Sequence, residues 1–286
     1  MNPDLNSRLL EGLKVVDVAC EPLAMAGRMF ADLGAEVIKL EPEGGDPLRK
    51  VAPLDSDSGL GLRFLTWNAG KRCYQVSVQQ SLPDQLVALL NDAHIVLETP
   101  GFPGALQLDQ DLAPGAVWLK ATPFGLTGPR SHWQASDLGI MAASGNLYAT
   151  GFPDSAPLRC SEPTAYIHSS AEALFAALTA LATGRAQVVD LSMQEAVMLA
   201  NMGAPGQSWK TGNHGRRMGA AMGKTREIWP CKNGYVSFGL RGGPARAHNF
   251  QILLQELERE NLANTAWKDQ DWLSFNAQDM TRDELD

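Results

Sequence analysis

The sequence has no basic segment followed by an apolar run at its amino end, and no stretch of about 18 consecutive apolar residues. We therefore expect neither a signal peptide nor a membrane-spanning helix. The four cysteines, Cys20, Cys73, Cys160 and Cys231, form no C-x-x-C pair, so a zinc or redox motif has no support. They are expected to be reduced and mostly buried thiols, as in a cytoplasmic protein.

Basic residues are outnumbered by acidic ones, and the formal net charge is −8. This balance argues against a nucleic-acid partner, but it leaves room for an anionic ligand in a locally basic pocket. The five histidines show no i, i+4 pair, and neither a P-loop nor an ordered Ser-His-Asp set occurs, so no metal is expected. With 44% hydrophobic residues, the 286-residue chain can bury the core of one large domain or of two smaller ones.

The first two hundred residues alternate between short β-rich runs and helical patterns. Apolar runs and period-two alternation predict strands at residues 14–18, 36–40, 73–78, 94–98, 117–121 and 187–191. Helical spacing of apolar residues predicts helices at residues 25–33, 81–90, 137–147, 169–183 and 193–201. Repeated β-α-β order predicts an α/β fold, with a mostly parallel sheet and helices on both faces.

The composition changes after Asn201, where a glycine-rich stretch carries the basic residues Lys210, Arg216 and Arg217. This stretch is either a loop that closes on an acidic ligand or a flexible connection. Strands at 226–230 and 235–239 around a Lys-Asn-Gly turn, then a helix at 245–258, predict a smaller α+β domain. We therefore predict a large domain over residues 1–205, a linker over 206–224 and an incomplete small domain over 225–286.

Four blocks of sequence occur in a fixed order along the chain. They are LEGLKVVDVA…AGRMFADLGAEVIKLEPEGGDPLRK (10–50), FLTWNAGKRCYQVSV (64–78), LKATPFGLTGPRSHWQASDLGIMAASGNL (119–147) and PLRCSEPTAYIHSSAEALFAALTALATGRAQVVDLSMQEAV (157–197). Together they resemble the class III CoA-transferases, which include formyl-CoA and carnitine-CoA transferases and α-methylacyl-CoA racemases. The resemblance implies a Rossmann-like large domain, a small domain inserted in it, and a dimer of interlocked chains. It also implies that the family's C-terminal return segment is absent here.

The resemblance implies coenzyme A as substrate and product, with an acyl-CoA and a carboxylic acid as partners. In the family a carboxylate attacks the thioester, and CoA thiolate then returns to the enzyme-bound acid. That Asp lies in a P-x-A-D pattern, which here reads Pro163-Thr164-Ala165-Tyr166, so Tyr166 occupies the place of the acid. A phenol with a pKa of about 10 does not reproduce carboxylate chemistry. Either Tyr166 or its neighbour His168 acts as an acid or base, or Tyr166 packs at a helix start in a non-catalytic chain.

The resemblance also implies where CoA is held. The run from Asn68 to Arg72 resembles an N-x-x-K-R segment that lies against the adenosine phosphates, so Lys71 and Arg72 are predicted CoA contacts. Without the resemblance, the same residues would be interpreted as a turn with solvated charges. Ala24 and Thr99, in the turns after the first and fourth strands, are the other predicted contacts. Both turns depart from the family's pattern, and the acidic Glu21 in the first of them would not favour phosphates.

Two other functions compete with a catalytic CoA-transferase. One is a non-catalytic subunit that pairs with an active homologue, so that the assembly is a heterodimer rather than a homodimer. Tyr166 favours this alternative. The other is a nucleotide-dependent dehydrogenase, suggested by the β-α alternation. It is disfavoured because the first β-α turn, ACEPLAMAG, lacks G-x-G-x-x-G.

Overall fold

A six-stranded parallel sheet forms the centre of the larger of two compact units in the computed structural model. The structure describes residues 9–77, 82–202, 215–222, 225–239 and 243–276, together with 206, 208–210, 212 and 281. The strands are β1 (Lys14–Asp17), β2 (Glu36–Pro42), β3 (Arg72–Val76), β4 (Ile95–Glu98), β5 (Val117–Thr122) and β6 (Gln187–Ser192). Their order is β3-β2-β1-β4-β5-β6, and every neighbouring pair is parallel. The predicted α/β class is confirmed, while Val78 of the predicted third strand lies outside the described residues.

Helices connect these strands in the described part of the larger unit. They are α1 (Ala24–Asp32), α2 (Leu62–Trp67), α3 (Asp84–Asn91), α4 (Asp137–Ala143), α5 (Thr164–Ala182) and α6 (Met193–Met198). The predicted start of α5 at Ser169 is wrong, because the helix begins five residues earlier, directly after Pro163. Apolar periodicity did not predict this start, because the first turns of the helix contain polar residues. Ser169 and Ser170 are nevertheless buried, by tertiary contacts that the sequence pattern does not reveal. Within the helix, the Ser169 hydroxyl donates to the Ala165 carbonyl over 2.7 Å.

Each face of the sheet carries its own apolar core. On one face α1 and α5 pack around Val15, Leu97 and Leu119. On the other face α3 packs around Val16, Val96 and Trp118. The buried side of α5 consists mainly of small residues, namely Ala165, Ser169, Ser170, Ala173, Ala177 and Ala180. Such side chains let the helix lie close to α1 and the sheet, and they leave Phe175 on the outer side, 67% exposed.

The second unit comprises residues 148–158 and 215–286. Its described elements are β7 (Ala221–Met222), β8 (Thr225–Arg226), β9 (Ile228–Cys231), β10 (Gly234–Ser237), α7 (Pro244–Arg259) and α8 (Thr265–Lys268). Strands β9 and β10 form the predicted antiparallel hairpin, with Cys231 opposite Gly234. Phe250 of α7 stacks on Trp272 with ring centroids 5.1 Å apart. The predicted boundaries at residues 205 and 225 stay a prediction, and residues 148–158 group with the second unit.

The cysteines depart from the expectation that they are mostly buried, although all four are free thiols. Cys20 is buried, whereas Cys73, Cys160 and Cys231 are exposed. The expectation was wrong because Cys73 lies on the edge strand β3, Cys160 in a loop and Cys231 at the end of β9. Among the described residues, no helix has both the length and the apolar character needed to cross a membrane.

Candidate functional site

A crevice opens where the order of the sheet reverses, between the carboxyl ends of β1 and β4. The chain leaves β1 toward the face where α1 packs, and leaves β4 toward the opposite face, where Leu106 and Ala113 pack. Doubly wound sheets bind ligands at this switch point. The crevice has a volume of about 670 Å³ and is lined by residues 20–22, 46–48, 51, 101–103, 134–136 and 166. Its size and position suit a small-molecule site.

At the floor of the crevice, the segments that follow β1 and β4 are hydrogen-bonded to each other. The backbone N–H of Cys20 donates to the Thr99 hydroxyl over 3.0 Å, and the Cys20 thiol lies 3.2 Å from the same oxygen. Thr99, one of the predicted CoA contacts, is fully buried. Burial raises the pKa of Cys20 to about 11. The thiol is therefore protonated at neutral pH and is a poor nucleophile.

A buried ion pair fixes the first turn of α1 beside the crevice. The Lys71 ammonium donates to Asp17 over 2.6 Å, to the Ala24 carbonyl over 2.8 Å and to the Asn68 side chain over 2.7 Å. Both members of the pair are fully buried, and burial lowers the pKa of Lys71. A Cβ on Gly27 would lie 2.5 Å from the Asp17 carboxylate, so this position of α1 needs glycine. The structure thus brings Lys71 and Ala24 together, with all three ammonium hydrogens used inside the protein.

A second buried pair fixes the wall formed by residues 46–48. Lys39 contacts Asp46 over 2.9 Å and donates to the Ala19 carbonyl over 2.7 Å. The other Asp46 oxygen accepts from the Leu48 N–H over 2.8 Å and caps the short 3-10 helix Pro47–Lys50. At the end of that helix, Arg49 donates two hydrogen bonds to Glu41, of 2.6 and 2.7 Å. The loop after β2 is therefore held in place by two ion pairs, one between Lys39 and Asp46 and one between Arg49 and Glu41.

Arg72 differs from the other predicted CoA contacts in its exposure. It begins the edge strand β3, and its side chain is 69% exposed. Its guanidinium donates to Glu36 on the neighbouring strand over 3.0 Å. Arg72 is thus available to solvent, whereas Ala24, Thr99 and the Lys71 side chain are buried. The assignment of these four residues to CoA binding stays a prediction.

Tyr166 lies in the first turn of α5 and lines the crevice. Its hydroxyl accepts a hydrogen bond from the Asp137 N–H over 3.0 Å, and its ring meets Phe102 edge-on with centroids 6.2 Å apart. The Asp137 carboxylate accepts in turn from the Ala165 N–H over 2.8 Å. Burial, with a smaller effect of Glu21 and Asp137, raises the pKa of Tyr166 to about 12. Its neighbour His168 is half-buried and does not line the crevice.

Glu21 is a residue of this site to which sequence reasoning gave no functional role. It starts the 3-10 helix Glu21–Leu23 after β1 and lines the crevice. Its Oε1 accepts from Arg63 over 3.0 Å. Burial raises the pKa of Glu21 above its ordinary value, against the opposing effect of Arg63. Its position in the turn after β1, the strand at the switch point, is the feature of the sequence that could have identified it as a site residue.

The chemistry that this crevice offers is that of a carboxylate. Glu21 is ionisable and partly open to solvent, whereas the neighbouring thiol and phenol have pKa values of about 11 and 12. In the described part of the chain, no group of three His, Cys, Asp or Glu side chains is arranged to hold a metal ion. A carboxylate beside an apolar pocket can act as a base or as a nucleophile toward an acyl carbon.

The chain is similar in sequence to a family of known proteins. A family model described as CoA-transferase family III matches residues 10–285. The chain is 33% identical over 239 residues to the succinyl-CoA:(R)-benzylsuccinate CoA-transferase subunit BbsE of Thauera aromatica, an alignment that covers 78% of this chain and 58% of the relative. It is 32% identical to the succinate–glutarate CoA-transferase of Agrobacterium fabrum, with 67% of this chain and 53% of the relative covered. The chain thus spans a little over half the length of these relatives.

A solved structure shows the same fold. The chain resembles a CAIB/BAIF family protein from Brucella suis with a TM-score of 0.77 and 24% sequence identity. The likeness covers 95% of this chain and 74% of that protein. At this level of identity the match supports the fold alone. The predicted resemblance to class III CoA-transferases is confirmed by the family model and by the sequence relatives together.

Proposed function

Because the chain belongs to CoA-transferase family III, we propose that its larger unit binds an acyl-CoA thioester and takes part in moving CoA between carboxylic acids. The observation that carries this proposal is the crevice over the ends of β1 and β4, with a carboxylate on its wall. Pro22, Pro47, Phe102 and Pro103 make much of its lining apolar. Such a lining suits an acyl group and the pantetheine arm, while the charged nucleotide stays nearer to solvent.

The nucleotide end of CoA is proposed to lie along the segment from Asn68 to Arg72. Arg72 supports this because its exposed guanidinium can exchange Glu36 for a phosphate. Lys71 holds the Ala24 carbonyl at the start of α1 and shapes the surface from below. Thr99 does the same for Cys20 at the crevice floor. In this proposal Ala24, Lys71 and Thr99 support the CoA site through backbone geometry.

Obstruction of the crevice tests the proposal. Val51 lines the crevice and is 40% exposed, so Val51→Trp adds bulk there without disturbing a core. Leu9→Trp is the matched control, because Leu9 is 72% exposed and precedes β1 at the opposite end of the strand. Calorimetry with an acyl-CoA should show at least roughly tenfold weaker binding for Val51→Trp and unchanged binding for Leu9→Trp. Equal affinities for both variants would remove the crevice from the proposal.

A non-catalytic partner subunit is the second candidate function. Tyr166 favours it, because the phenol has a raised pKa and its oxygen is engaged by Asp137. The relative from Thauera aromatica carries the word subunit in its name. Co-expression with a homologue that bears an acid at the matching position separates the two candidates. If CoA transfer occurs only in a complex of both chains and depends on the homologue's acid, this chain is the partner subunit.

We also propose that the chain assembles with a second chain, in a cytoplasmic protein that uses CoA as substrate and product. The outer side of α5 supports the assembly, because it exposes Ile167 and Phe175. Large apolar side chains that a helix leaves exposed can be covered by a partner chain. A homodimer and a heterodimer with a homologous subunit both fit this surface.

A further inference from the structure

The crevice contains a carboxylate in addition to the tyrosine that stands in the proposed place of the family's acid. We propose that Glu21 is the residue that receives the acyl group and then CoA in this chain. The proposal rests on the proposed function, and it assigns the nucleophile to the end of β1 rather than to the start of α5. Glu21 lines the crevice and lies beside α5, where Tyr166 contributes to the same wall.

The other carboxylates near the crevice are already engaged. Asp46 is 3% exposed, and its two oxygens are held by Lys39 and by the Leu48 N–H. Asp137 is 6% exposed, accepts from the Ala165 N–H and does not line the crevice. The Glu21 side chain is 33% exposed. In the described part of the chain only its Oε1 is hydrogen-bonded, to Arg63, which leaves Oε2 for an incoming carbonyl carbon.

Arg63 positions this carboxylate. It lies over the ring of Trp67, 5.4 Å from the centroid, and contacts Glu162 over 3.4 Å on its outer side. A guanidinium held in this way fixes one carboxylate oxygen and leaves the other to point away from it. Partial burial makes the Glu21 oxygen more basic than a solvated carboxylate, and greater basicity favours attack on an acyl carbon.

The proposed steps balance in atoms and charge. The Glu21 oxygen bonds to the acyl carbon, the carbon–sulfur bond breaks, and CoA leaves as the thiolate. The thiolate then attacks the glutamyl carbonyl of the mixed anhydride, which releases the donor acid as a carboxylate and leaves a glutamyl–CoA thioester. The acceptor carboxylate displaces CoA thiolate from that thioester. The thiolate finally attacks the acceptor's acyl carbon, so that acceptor acyl-CoA departs and the Glu21 carboxylate is restored.

Hydroxylamine trapping tests this assignment. The chain is incubated with several acyl-CoAs and a carboxylic acid, and hydroxylamine converts any activated carboxyl into a hydroxamate, which peptide mass spectrometry locates. We expect the hydroxamate on Glu21. Glu21→Gln should remove it and lower the transfer rate by roughly 10³-fold or more. Glu256→Gln is the matched control, since Glu256 is exposed on α7 and does not line the crevice, and it should keep both label and rate.

Glu21→Asp guards against a folding artefact. It keeps the charge but withdraws the oxygen, so it should retain the label at a lower rate, with an unchanged circular dichroism spectrum. A hydroxamate on another residue, or transfer that survives Glu21→Gln, overturns the assignment while the proposed CoA-transferase function stands. If the chain neither binds an acyl-CoA nor transfers CoA, the proposed function fails and the assignment fails with it. Binding without transfer or label overturns the assignment and favours the partner-subunit function.

Discussion

The hydroxyl of Tyr166 accepts a hydrogen bond of 3.0 Å from the backbone N–H of Asp137. The Asp137 carboxylate accepts one of 2.8 Å from the N–H of Ala165, the residue before Tyr166. Each of the helices α4 and α5 thereby satisfies a free N–H in the first turn of the other, because those groups have no partner within their own helix. This reciprocal arrangement explains why a tyrosine is suited to this position without any catalytic role.

Tyr166→Phe should lower the free energy of unfolding by about 1–2 kcal/mol, because it leaves the Asp137 N–H without its acceptor in a buried site. Urea denaturation measures the change. Tyr74→Phe is the matched control, since Tyr74 is 52% exposed on β3, and its effect should stay within about 0.5 kcal/mol. Equal effects for both variants would show that the hydrogen bond to Asp137 does not stabilise the fold.

Lys71→Met should destabilise the chain strongly, because it leaves the Asp17 carboxylate buried and unpaired. Loss of one member of a buried ion pair costs about 3–5 kcal/mol. Arg72→Gln, next in sequence but 69% exposed, should change stability by less than about 0.5 kcal/mol. Urea denaturation of the two variants separates a structural lysine from a surface arginine.

A double variant checks the reason for that cost. Replacing both charges, as in Asp17→Leu with Lys71→Met, removes the unpaired charge and should recover part of the stability lost in Lys71→Met alone. If no stability is recovered, the contacts of Lys71 with Ala24 and Asn68 contribute more to the free energy of unfolding than its pairing with Asp17. CoA affinity measured on Arg72→Gln tests the phosphate contact without interference from folding.

The strand pattern of the larger unit was predictable because the parallel strands β1, β4 and β5 are short, buried and rich in branched residues. The start of α5 was not, because buried serines and an early tyrosine hid its periodicity. The candidate site was only partly predictable. Tyr166 followed from a motif, whereas the burial of Lys71 and the location of Glu21 in the crevice depend on how distant segments meet.

The buried thiol of Cys20 should need a higher pH for alkylation than the exposed thiols of Cys160 and Cys231. Burial raises the pKa of Cys20 to about 11, so it remains a thiol until well above pH 9, and the thiolate is the form that reacts. With limiting iodoacetamide at pH 8, Cys160 and Cys231 should be modified long before Cys20. Reaction at Cys20 should rise as the pH approaches 11 in the folded protein. Peptide mass spectrometry that finds Cys20 modified as fast as Cys160 at pH 8 would contradict the buried floor of the crevice.

Assembly through the outer side of α5 should be sensitive to Phe175, which is 67% exposed. Phe175→Asp should shift the protein toward monomer in light scattering at micromolar concentration, since it places a charge in an apolar contact. Leu54→Asp, at a position 50% exposed outside that surface, should leave the assembly unchanged. A wild-type chain that is already a well-folded monomer at that concentration would refute the proposed interface.

The most direct test of the crevice as the acyl-CoA site is a crystal structure of the chain with a thioether analogue of an acyl-CoA. Replacing the carbonyl by a methylene prevents attack, so the complex is stable during crystallisation. We expect the thioether sulfur to lie in the crevice between the ends of β1 and β4, in contact with the Glu21 carboxylate and near Tyr166. An analogue bound elsewhere on the chain, with the crevice empty, would contradict it.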